Sequence, residues 1–320
     1  MTFPTNLRTI ATGKLCLVIL CCFGIQLQLS AQDVGPEHYD EDGRLVVKKS
    51  GFFTGIYLGS YFANSHSASL YDGYGFDFEE KRHTFENSWL HEKIINQFGG
   101  GYGQPDYIGE AIGVQPGEWF FNESDMPGNI RYKTSFSVGF AGRYTVDKKN
   151  AILLNVNGSI LKAAGNFTIT TRPAPGSTQI NNAIKTYNIS GEEQRLLFEA
   201  GFQHLFGKSE AFCLFAEGGL HATLAKFVKN EILIENLKID LYDSYYNPVT
   251  GDNYFNGAKP VGLGFGAFAG LGLNIDTQSK WALQLVYNLL LENVRIGYDQ
   301  KLQPSQMIGL RAYYNLLQTN

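Results

Sequence analysis

From residue 131 to the C-terminus, apolar and polar positions alternate in stretches of about a dozen residues or more, with breaks that run short, long, short, long. Short links contain Val146-Asp147-Lys148-Lys149-Asn150, Gly207-Lys208-Ser209-Glu210 and Asp276-Thr277-Gln278-Ser279-Lys280. Long links cover roughly 167–191, 228–258 and 298–304. A period of two puts alternate side chains on opposite faces of a strand. A hairpin series with tight turns at one edge and long loops at the other is the pattern of a transmembrane β-barrel. The pattern predicts eight strands: Phe52 to Phe62, then about 131–146, 150–166, 192–207, 211–227, 259–276, 280–297 and 305–317. A soluble β-sandwich also alternates, but with shorter strands and turns less strictly biased by edge.

The alternation assigns faces. In the seventh strand Trp281, Leu283, Leu285, Tyr287, Leu289 and Leu291 share one side. In the sixth, Val261, Leu263, Phe265, Ala267, Ala269, Leu271, Leu273 and Ile275 face lipid, and glycines with Phe268 face inward, making room for larger neighbouring side chains. Both faces of the first strand carry aromatics, and the pattern leaves it ambiguous. The predicted lumen sets Arg143, Arg195 and Arg311 against Glu199, Glu217 and Glu292, with Glu199, Glu217 and Arg311 near mid-height. An eight-stranded barrel is only wide enough for side chains to fill, which disfavours a diffusion pore. The charges then read as a salt-bridged plug, and a proton or ion path is the sharper alternative.

The N-terminus adds a compartment. Arg8 and Lys14 precede an apolar run from Leu15 to Ile25, and Leu29-Ser30-Ala31 offers a cleavage site before Gln32. The run is too short to span a bilayer as a helix. This predicts a signal peptide over 1–31, an acidic periplasmic lead over 32–50 and a barrel over 51–320. The mature chain keeps one cysteine, Cys213, and forms no internal disulfide. Composition fits, with 36 Gly, 18 Tyr and 23 Phe at a mean hydropathy of -0.16. A net charge of -4 without basic blocks argues against a nucleic-acid partner.

The closing stretch Gly309-Leu310-Arg311-Ala312-Tyr313-Tyr314-Asn315-Leu316, with Ser30-Ala31-Gln32 and the eight hairpin strands, resembles the small bacterial outer-membrane β-barrel proteins. The tail Gln318-Thr319-Asn320 departs from that family, which usually ends on an aromatic. The resemblance implies an all-β, eight-stranded antiparallel transmembrane barrel in the outer membrane of a Gram-negative bacterium, in contact with outer-membrane lipid. It implies little about activity, because the fold hosts pores, enzymes, adhesins and scaffolds.

The first outer loop, roughly 63–130, is far longer than a connection requires. Phe85, Trp89, Leu90, Ile94 and Phe98 recur at near-helical spacing, predicting a short amphipathic helix over Thr84 to Phe98 that Gly99-Gly100-Gly101-Tyr102-Gly103 breaks. Gly117-Glu118-Trp119-Phe120-Phe121 is unusually apolar for a surface loop, so the loop must pack on itself, on the barrel mouth or on another protein. The third outer loop adds Tyr242, Tyr245, Tyr246 and Tyr254. Trp89, Trp119, Phe120, Phe121 and these tyrosines form the candidate partner-binding set.

Catalytic signals are thin. His204 falls on the lipid face with no serine predicted beside it. His83 and His91 with Glu86 and Glu92 lack a recognised metal-ligand spacing, and the acids of the third loop lack EF-hand spacing. No catalytic residue, metal or cofactor is expected. The leading reading is a non-enzymatic barrel whose loops bind other outer-membrane protein as a subunit of an assembly, secretion or uptake complex. The alternatives are a lipid-modifying enzyme or hydrophobic-ligand carrier, and an adhesin or envelope stabiliser.

Overall fold

The structure is a computed structural model that describes residues 51–77, 79–173, 181–206, 212–242, 259–276, 280–297 and 301–316. The predicted signal peptide, the lead, the chain tail and the turns 207–211 and 277–279 lie outside the described residues. The barrel belongs to one unit, 51–145 with 149–320.

Eight antiparallel strands close a ring: β1 (Phe52–Phe62), β2 (Ser135–Thr145), β3 (Asn150–Thr171), β4 (Ala183–Phe206), β5 (Phe212–Ile234), β6 (Val261–Asp276), β7 (Trp281–Glu292) and β8 (Gln303–Asn315). Each pairs with its sequence neighbours, and β1 closes on β8 with Tyr57 opposite Arg311. Closure leaves no strand edge in the membrane, as a bilayer without hydrogen-bonding partners demands.

A belt of apolar side chains encircles the outside. Phe140 is 73% exposed, Phe136 66%, Leu271 65% and Leu220 64%, and the outer rows of β6, β7 and β8 continue it. A continuous apolar surface of this size belongs in hydrocarbon, not water. The 12 residues of β7, tilted by about 40° at about 3.3 Å each, span about 30 Å, the thickness of a bilayer core. Phe52, Tyr144, Trp281 and Tyr314 lie at the tight-turn end, where an aromatic girdle belongs, with Trp281 and Tyr314 5.1 Å apart. The first strand resolves cleanly, with Phe53, Tyr57 and Tyr61 inward and Phe52, Ile56, Leu58 and Phe62 outward.

The strand lengths depart from the sequence expectation. β3, β4 and β5 do not end at 166, 192 and 227; they continue to Thr171, from Ala183 and to Ile234. From Leu161 to Thr171, β3 runs about 33 Å further along its own axis at about 3.3 Å per residue, about 25 Å of height at the same tilt. The outer rows turn polar at one level, passing from Ile160 to Lys162, from Leu196 to Gln194 and from Leu224 to Lys226. The inner rows turn apolar there, through Leu161, Phe167, Ile169, Tyr187, Ile189 and Phe227. A bulge opposite Glu192/Glu193 skips Val228 and re-phases β5, so Ile232 and Ile234 still point inward. Short strands Trp119–Phe120 and Leu237–Asp240 extend this wall on its two sides.

Candidate functional site

The first loop forms a folded canopy against the apolar inner face of the wall. Ser88 caps the helical turn Trp89–His91, accepting from the His91 amide at 3.2 Å, and the helix continues as a wider coil over Glu92–Gln97. Leu90 and Ile94 are fully buried beside Ile108, Ile112, Phe167 and Ile189. Gly99 is required because Cβ there would lie 2.2 Å from the Ile94 carbonyl. Asp106 then begins the helix Tyr107–Ile112, accepting from the Gly109 amide at 2.7 Å and from the Trp119 indole at 2.9 Å.

Of the sequence-predicted contact residues, Trp119 (9% exposed) and Phe121 (5%) therefore sit in the canopy core. Phe121 meets Phe167 edge-on at 6.3 Å. Trp89, Phe120 and Tyr242 are half-buried, and Trp89 packs on Tyr242 at 5.3 Å. Tyr245, Tyr246 and Tyr254 lie outside the described residues. Among the described canopy residues, Tyr102 (59%) and Tyr107 (44%) are the large hydrophobic side chains that face solvent, and the sequence reading did not single them out.

The segment Ser67–Tyr71 turns down into the barrel mouth. Tyr71 stacks on Phe227 at 5.3 Å, lies against Gly191 and donates to Glu193 Oε2 at 2.9 Å. Tyr132 donates to the same oxygen at 2.8 Å. At this level Arg195 joins Glu193 (2.5 Å), Glu292 (2.9 Å), the Tyr61 hydroxyl (2.7 Å) and Ser67 Oγ (3.2 Å). Tyr61 also donates to Glu292, and Ser305 does so at 2.5 Å. One guanidinium thus links β4, β1, β7 and the segment closing the mouth.

At mid-height Arg311 forks onto both oxygens of Glu217 at 2.7 and 2.8 Å, the planar match that favours arginine over lysine. Glu199 accepts from Asn155 at 2.9 Å. Below, Arg143 donates to Asn274 at 3.2 Å and lies between the rings of Phe53 (4.4 Å) and Tyr313 (4.9 Å). The six predicted lumen charges all face inward and are buried. Arg195 and Arg311 find carboxylates, whereas Arg143 takes an amide and two aromatic faces. Glu193 was missed because the predicted inner row began at Arg195, though the two share one face of the strand.

Around the charges, Tyr57, Leu161, Leu197, Phe215, Phe268, Val286, Leu290 and Met307 fill the tube. The inward glycines serve two ends. Phe215 lies over Gly272 and Phe268 over Gly201, as expected; Gly262 and Gly264 instead receive the backbone of Asn293–Arg295, which follows β7. His221, fully inward, lies against Gly266. His204 pairs with Asn150 at 2.7 Å, and among the described residues no three metal-ligating side chains converge.

No known protein family and no curated protein matches the chain. Among solved structures it is similar to Ail, the attachment invasion locus protein of Yersinia pestis in complex with the heparin analogue sucrose octasulfate, at 13% identity and a TM-score of 0.29 over 83% of this chain and 96% of that one. It is also similar to the outer membrane protein OprG of Pseudomonas aeruginosa, at 9% identity and a TM-score of 0.34 over 84% and 97%. Likenesses this distant transfer no activity, and the eight-stranded transmembrane barrel stands on its own ring of paired strands and its apolar belt.

Proposed function

We propose that this chain is a non-enzymatic barrel of the bacterial outer membrane whose external canopy binds another protein, as a subunit of a larger assembly, secretion or uptake complex. The observation that supports it most is the division of labour along the barrel. The lumen is packed with side chains and closed by Ser67–Tyr71, while three strands rise beyond the belt to hold a folded canopy. A sealed tube has no transport to perform by itself, so the built external structure is where recognition resides. Tyr102 and Tyr107 are the contact residues, with Phe120, Trp89 and Tyr242 half-exposed beside them and Trp119 and Phe121 supporting them from beneath.

The test is native mass measurement of the tagged protein extracted in mild detergent. A stoichiometric complex is expected, lost in the Tyr102→Ala/Tyr107→Ala variant while the barrel stays folded. A lone monomer in which both substitutions are silent overturns the reading.

A further inference from the structure

The outer face of the barrel carries a cationic strip where β2 and β3 leave the lipid belt. The short strand Arg131–Tyr132 pairs with Ala164 and Ala163 of β3, and the Lys133 amide donates to the Lys162 carbonyl at 2.9 Å. Tyr132 points inward to Glu193, so its neighbours Arg131 and Lys133 point outward, as Lys162 does; all three are exposed, and Glu192 of β4, opposite Lys162 on the same face, is the one acid in register with them among the described residues. The last lipid-facing side chains, Ile160 (52% exposed) and Phe136 (66%), lie immediately below, and Phe140 (73%) continues that face downward.

Beside the strip a cavity of about 510 Å³ opens between the segments that extend β1 and β2. Arg131 lines it together with Arg82, whose guanidinium donates to Asp72 at 2.6 Å and lies over the Tyr74 ring at 3.6 Å. The same cavity presents Ser65, Ser69 and Asn129.

We infer that this face binds the phosphorylated saccharide headgroup of an anionic glycolipid, with phosphate on Arg131, Lys133 and Lys162 and acyl chains along Phe136 and Phe140. Charge placement selects a lipid over a soluble polyanion. Residues 63–130 contain eleven carboxylates against Lys81, Arg82 and Lys93, a field that repels an anion arriving from above. An anion already held at the belt edge meets the cations from the side. Hydroxyl and amide groups in the adjoining cavity suit sugar, and the apolar row below suits acyl chains.

The inference rests on the membrane placement of the barrel, and the experiment separates the two. The protein is reconstituted in phosphatidylcholine nanodiscs, and sheet content and heat-modifiable migration confirm insertion. Retention of diphosphorylated lipid A is then compared with its dephosphorylated form by native mass spectrometry. Preferential retention of the phosphorylated form is expected. The Arg131→Gln/Lys133→Gln/Lys162→Gln variant should weaken it on the order of 100-fold, at about fivefold per cation removed near a membrane surface. Lys149→Gln/Lys280→Gln at the opposite rim should leave it unchanged. If the triple variant does not insert, Lys162→Gln alone carries the measurement. Equal retention of both lipid forms, an unaffected variant, or displacement by soluble inorganic phosphate overturns the lipid site. Failure of the barrel to insert in any bilayer overturns the placement instead.

Discussion

Strands β3, β4 and β5 contain two proteins end to end. In their lower parts Leu154, Phe198 and Leu220 face out while Asn155, Glu199 and Glu217 face in. In their upper parts Asn166 and Thr186 face out while Phe167 and Tyr187 face in. The backbone and its period of two are the same in both. Only the surroundings change, from hydrocarbon outside and a core that mixes buried charge with apolar side chains to water outside and an apolar core. The row in which grease sits is therefore set by the solvent, and the inversion at Ile160/Lys162 marks where the bilayer ends.

The largest effect should come from the lower core. Arg311→Met strands Glu217 beside Glu199, and loss of one partner of a buried pair costs about 3–5 kcal/mol. Urea unfolding in detergent should show that loss, and Arg311→Met/Glu217→Met should recover much of it. The outer row tests the comparison directly within β4. Phe198→Arg in the belt should cost about 2–4 kcal/mol, whereas Thr186→Arg on the wall should change stability by less than about 0.5 kcal/mol. Equal costs would erase the proposed boundary.

Next comes the plug. A Cβ at Gly191 would lie 2.1 Å from the Tyr71 ring, so Gly191→Ala should cost about 1–3 kcal/mol and open the Ser67–Tyr71 segment to protease while the belt stays protected.

The smallest effect is an acid sensitivity of the canopy. Burial lowers the pKa of His83, against Asp77, and of His91, against Glu92 and Glu86. The unfolded segment then binds protons more readily than the folded one. The neutral histidines stabilise the canopy fully above the ordinary value of 6.5, and that contribution fades as pH falls below it. After correction for the intrinsic chemical rate, protection at Leu90 and Ile94 should fall between pH 6.5 and 5, and that of β2 amides should not. Faster exchange at higher pH beyond the intrinsic chemical rate would contradict the sign.

Much of the lower barrel was legible because alternation is local. Trp281 to Leu291 announce a lipid-facing row without any knowledge of their neighbours, and Glu199, Glu217 and Arg311 had to face inward once that row was placed. The upper wall was not, because Phe167, Ile169, Tyr187 and Ile189 keep the alternation with its sense reversed, and reversed polarity beside long links reads as loop. The canopy helix was visible in its spacing, but its docking surface was not.

What the chain determined by itself is therefore the number of barrel strands, the two faces of all but the first, and the inward placement of charge, since each follows from a repeat of two residues along one strand. Only the tertiary structure decided that Arg195 joins Glu193 and Glu292, that Arg143 rests between Phe53 and Tyr313, and that Tyr71 seals the mouth. Those contacts depend on how eight strands stagger as the ring closes, and stagger is a property of the closed sheet that no single strand encodes.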